Sequence, residues 1–135
     1  MSYHTLADMV ELHKEKIALE VAKKAIARNL PSYVNKSAQE LALNFRPTIE
    51  MLARYVRHAD PTEYRDYMIK LTRTRLSQGY TSQDFYIMGE ILTEAIKEVV
   101  ENYLGEDEKT KTSWFRRLNG IQTLAQTTVV ATRLT

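Results

Sequence analysis

Residues 79–103, GYTSQDFYIMGEILTEAIKEVVENY, decide the fold. Phe85, Met88, Leu92, Ala95, Ile96, Val99 and Tyr103 recur at steps of three and four, the period of a helix and not of a strand. Thr81 and Ser82 supply N-cap side chains, and Asp84 follows where a carboxylate suits the positive helix end. Gly105, just after Leu104, is placed to stop the helix. Glu90, Glu94, Glu98 and Glu101 lie off the apolar stripe and are expected to be a solvated face. Gly89 inside the helix costs roughly 1 kcal/mol relative to alanine. It marks either a close helix crossing or a tolerated defect.

The segments before this helix read as further helices that pack on it. Asp60-Pro61-Thr62-Glu63 is a strong start signal: an N-cap acid, proline at the first helical position and an acid at the third. Tyr64, Tyr67, Met68, Leu71 and Leu76 give that helix its inner face, and Gly79 ends it. Ser37 to Glu40 form a capping box that opens an earlier helix, buried through Leu41, Phe45, Ile49, Leu52 and Val56. Pro47 interrupts it, so either the helix kinks or two short helices meet near Arg46. His58 follows Arg54 and Arg57 at its end, where cationic groups suit the helix dipole. The first helix is expected over residues 5–29, with one stripe of Leu6, Met9, Val10, His13, Ile17, Val21, Ala25 and Ile26, and Pro31 ending it. His13 on that stripe reads as a packing histidine, with a ligand or proton-sensing role as the alternative.

The last helix is expected over residues 107–133. Trp114, Leu118, Ile121, Ala125, Thr128 and Thr132 recur at 4, 3, 4, 3, 4, a heptad spacing, and Val129 belongs to a second apolar set. From Leu118 to Thr132 no residue is charged. A surface helix normally carries a charged face, so this one is expected to be covered on two sides. One cover is the domain's own core; the other is a second subunit or a continuation of the protein. Trp114, Leu118, Ile121, Ala125 and Val129 are the expected homodimer interface. Residues 1–135 read as one helical domain, ending inside a linker helix as a fragment of a longer protein would.

Composition narrows the function classes. The 135 residues suit a single domain, and 44% hydrophobic with 27% charged residues is ordinary for a water-soluble one. A net charge of +2 is too mild to argue for nucleic acid. No cysteine is present, which removes disulfides, thiolate metal sites and thiol nucleophiles. The N-terminus lacks a signal-peptide core, and no run approaches the ~20 apolar residues of a membrane span. A cytoplasmic location and no membrane partner are therefore expected. The chain carries no glycine-rich phosphate loop and no GxSxG, HExxH or EF-hand pattern. His4, His13 and His58 lack metal-ligand spacing, and no acid pair has a partner that marks it as a general acid or base. No catalytic residue, cofactor or metal is expected. Tyr55, Tyr64, Tyr67, Tyr80 and Tyr86 flank the same two helix junctions. They read as rim residues of a helical core, or as a ligand pocket, for which Tyr55, Tyr64, Tyr67 and Tyr86 are the candidates.

The segment LTRTRLSQGYTSQDFYIMGEIL, Leu71 to Leu92, carries a resemblance. A helix ending in Arg-x-x-x-Gly, here Arg75 to Gly79, precedes a capped amphipathic helix from Thr81. This resembles the haem-less, globin-like N-terminal domains of RsbR-type bacterial regulators, the stressosome co-antagonists, and similar domains that precede sensor kinases. In related haem-binding globin-coupled sensors the axial histidine would fall four residues before the glycine, where this chain has Arg75. No histidine occurs after His58. The resemblance implies a non-haem sensor for stress response or two-component signalling. It also implies dimerisation through the last helix and a downstream signalling domain. The expected fold is all-α, a globin-like or irregular bundle of five to six helices. The expected function is a non-catalytic sensory or regulatory dimerisation domain. The alternatives are a small-molecule or haem-binding globin-like carrier and a helical adaptor for protein or nucleic acid.

Overall fold

A computed structural model describes residues 5–30, 33, 35–104 and 107–134. These form six helices: α1 Leu6–Leu12, α2 Lys14–Ala27, α3 Ala38–His58, α4 Pro61–Ser77, α5 Ser82–Leu104 and α6 Glu108–Leu134. The described residues include no strand, and the architecture is an all-α bundle, as expected. α2 packs on α3 and α5, α1 on α3, and α6 runs along both α4 and α5. One core joins Leu6, Met9, Ile17, Ile49, Ile91, Ile96, Val100 and Leu118 from five of the helices, all essentially inaccessible to water.

The start signals act as their chemistry predicts. Ser37 Oγ accepts from the Glu40 amide at 3.2 Å, and Asp60 Oδ1 accepts from Thr62 N at 3.0 Å. Thr81 and Asp84 cap reciprocally: Thr81 Oγ1 accepts from Asp84 N at 3.1 Å, and Asp84 Oδ2 accepts from Thr81 N at 2.8 Å. Both amides would otherwise be orphans at the helix start. Gly79 has φ +90°, and Tyr80 N donates to Arg75 O while Gly79 N donates to Leu76 O. That is a Schellman stop, which folds the residue after the glycine back onto the last turn of α4. Gly105 lies outside the described residues.

Several expectations need correction. The single helix over 5–29 is two. His13 has non-helical backbone (φ −105°, ψ 16°) and ends α1 while opening α2. Its ring stacks on Tyr103 of α5 at 4.1 Å between centroids. The apolar stripe continues across the break, so periodicity could not reveal it. α2 also stops four residues before Pro31, where Asn29 turns left-handed (φ +53°). Pro47 does not divide α3, which runs unbroken through it. Pro47 and Leu43 are both exposed, so the bond missing to the Leu43 carbonyl falls on the solvent side.

The acidic face of α5 is exposed, as expected, and it also makes ion pairs. Lys24 of α2 binds Glu98 at 2.7 Å and Glu94 at 3.2 Å, and Lys111 of α6 binds Glu101 at 3.0 Å. These carboxylates remain exposed but tie α5 to two neighbours.

A further correction concerns α6. Trp114, Leu118, Ile121, Ala125 and Val129, expected between subunits, are only 2–8% exposed within the single chain. They are part of the chain's own core. Heptad spacing identifies a buried stripe without identifying what buries it. The outward face of α6 is instead Gly120, Thr123, Thr127, Val130 and Ala131.

Candidate functional site

The helices do not close completely on one another. A partly enclosed cavity of about 90 Å³ lies among α3, α4, α5 and α6, with Val21 of α2 behind it. Most of its wall is apolar: Phe45 from α3, Met68 and Leu71 from α4, and Phe85, Met88 and Leu92 from α5. α6 completes the wall with Ala125, Gln126 and Val129. Gln126 Nε2 also donates to the Tyr86 carbonyl at 3.3 Å, pinning α6 to the first turns of α5. Gly89 sits opposite. A Cβ there would lie 3.5 Å from Gln126 Nε2, an ordinary contact, so this glycine is tolerated rather than demanded by the crossing.

One end of the cavity is polar. The Schellman stop at Gly79 brings Tyr80 against α4, with the Arg75 guanidinium 5.3 Å from the centre of its ring. Arg75 Nη1 also donates to Gln78 Oε1 at 3.1 Å. Tyr33, from the α2–α3 connection, meets Tyr80 edge-on at 5.4 Å and Phe45 at 5.9 Å. Asp84, buried at the start of α5, is the fourth member. Burial pushes the Tyr33 phenol well above the ordinary range; Tyr80 and Asp84 push the same way, and Arg75 opposes them. Burial likewise raises Tyr64. Both remain neutral hydroxyls through the physiological range.

Of the four candidate pocket tyrosines, Tyr64 alone lines this cavity. Tyr55 stands behind it, stacked at 5.6 Å. Tyr67 also stands behind the wall, its hydroxyl 2.8 Å from Thr48 Oγ1, which does line the cavity. Burial raises the Tyr67 pKa, and the Thr48 bond works against that rise. Tyr86 points to solvent and is 55% exposed. Tyr80 was not among the candidates, although a local signal existed for it: the residue after a stop glycine folds back on its own helix. Tyr33 had no comparable signal, since the course of the α2–α3 connection places it. Arg75 lines the cavity as well.

Among the described residues, the lining contains no histidine, lysine or serine. His58 is exposed at the end of α3, and His13 packs on Tyr103, so neither reaches the cavity. His4 lies outside the described residues. Among the described residues, no group of three His, Asp or Glu is placed to hold a metal ion. No helix among them is long and apolar enough to cross a membrane. The chain has no significant match among protein-family models, curated proteins or solved structures.

Proposed function

We propose that this chain is a non-catalytic sensory or regulatory module in bacterial signal transduction, related to the non-haem, globin-like domains it resembles. Occupancy of the cavity is its input, and the packing of α6 is its output. The observation that carries this reading is the double role of α6. Its inner face forms a cavity wall through Ala125, Gln126 and Val129, while its outer face is exposed and uncharged. A ligand that binds one setting of α6 better than another shifts the population between them, and only that differential affinity can transmit a signal.

The outer face favours a second copy of the chain as its partner. Thr123 and Thr127 turn their hydroxyls back to the carbonyls of Asn119 and Thr123, at 3.1 and 2.7 Å. Their hydrogen-bonding needs are largely met inside the helix, so the face presents methyl groups beside Gly120, Val130 and Ala131. A downstream domain would take up the movement of this helix in a longer polypeptide.

Light scattering over a concentration series tests the reading. A dimer near twice 15.7 kDa is expected for the wild type, with loss of that dimer in Thr127→Glu and no loss of helical content. A monomer at every concentration would remove dimerisation from the proposal.

A further inference from the structure

We infer that the cavity accepts a small, uncharged, mainly apolar molecule with one hydrogen-bonding group, of the size and polarity of a phenol. Size sets the first bound. About 90 Å³ is of the same order as the ~150 Å³ apolar cavity known to admit benzene. The apolar wall of Phe45, Met68, Phe85, Met88 and Leu92 suits an aromatic or short aliphatic body. A charged body placed there would lose its hydration without recovering it.

The polar end sets the second bound. Its cation is Arg75 and its anion is Asp84, and both have structural duties. Arg75 stacks on Tyr80 and holds Gln78; Asp84 caps α5. An anionic ligand would face the Asp84 carboxylate, which already occupies the positive end of that helix. A cationic ligand would face Arg75. A neutral hydroxyl meets neither objection. It can exchange hydrogen bonds with Tyr33, which lies at this end beside Tyr80 and, being a neutral phenol, can both donate and accept.

This inference deepens the sensory reading and rests on it only for what occupancy does, not for whether binding occurs. The test uses the full chain and three ligands of similar shape at neutral pH: phenol, benzoate and benzylamine. Binding is followed through the methionine methyl resonances. Met68 and Met88 line the cavity, while Met9 lies in the core away from it. Phenol is expected to shift Met68 and Met88 saturably and leave Met9 in place. Benzoate and benzylamine are expected to bind at least about tenfold more weakly. Asp84→Asn keeps a capping side chain and removes the charge. It is expected to narrow the preference for phenol over benzoate severalfold. Ala125→Leu, which places a larger side chain in the wall, is expected to abolish phenol binding.

Benzoate binding as tightly as phenol to the wild type would overturn the inference, as would no saturable shift with any of the three. Phenol binding that leaves the α6 amides beyond the cavity wall unmoved would sustain the ligand class and refute the readout through α6.

Discussion

The same substitution, glycine to alanine, should have opposite effects at two positions. At Gly79 the backbone has φ +90°, and an added Cβ would meet nothing within 4 Å. The cost is therefore conformational and not steric: an L-residue in the left-handed region is disfavoured by about 1–2 kcal/mol. At Gly120 the backbone is helical, on the outer face of α6, and a Cβ again meets nothing within 4 Å. There alanine removes the entropy that glycine loses on ordering, a gain of about 0.5–1 kcal/mol. For a domain of this size, 1 kcal/mol moves the unfolding midpoint by about 3–4 °C. Gly79→Ala should thus lower Tm by roughly 3–8 °C, and Gly120→Ala should raise it by roughly 2–4 °C. Thermal and urea unfolding followed by circular dichroism measure both, with an unchanged urea slope showing that the surface exposed on unfolding is the same in each variant. A neutral or stabilising Gly79→Ala would refute the claim that the left-handed stop fixes the α4–α5 junction. The placement of Tyr80 at the cavity would fall with it.

Leu118→Ala should cost about 2–5 kcal/mol, the range for truncating a fully buried leucine. The loss should not depend on protein concentration, because Leu118 is buried within one chain; strong concentration dependence would restore it to a subunit interface. Lys24→Ala should cost at most about 1 kcal/mol, and raised salt should reduce the difference, since both carboxylates that Lys24 joins are half-exposed. The His13 pKa is lowered from 6.5, first by burial and then by Lys16. The unfolded chain therefore binds this proton more readily, so His13 supports the fold fully above about 6.5 and less as the pH falls through its folded value. His13→Gln should flatten the stability profile in that interval, and an unaltered slope in the denaturation midpoint against pH would exclude the effect.

Helix starts and stops were the legible part of this sequence, because each is decided within a few residues. Ser37, Asp60, Thr81 with Asp84, and Gly79 need only their neighbours to act. The break at His13 was not legible: both sides bury the same stripe, and the stacking partner Tyr103 comes from a distant helix. The stripe on α6 was visible as buried, but period alone cannot separate an internal neighbour from a second subunit. The cavity was half legible. Tyr64 and the Arg75–Gly79 stop could be placed from local signals, whereas Tyr33, Gln126 and Val129 meet there only because five helices converge.

The packing of α1 on α3 bears on the order in which the chain assembles. Seven residues are too few to hold a helix in isolation. α1 is kept by its burial against α3 and by Arg57, whose guanidinium binds Asp8 and Glu11 at 2.8 and 2.9 Å. Arg57 is made 49 residues after Asp8, and long-range closures of this kind form slowly. During synthesis α1 therefore has nothing to hold it until nearly all of α3 has left the ribosome.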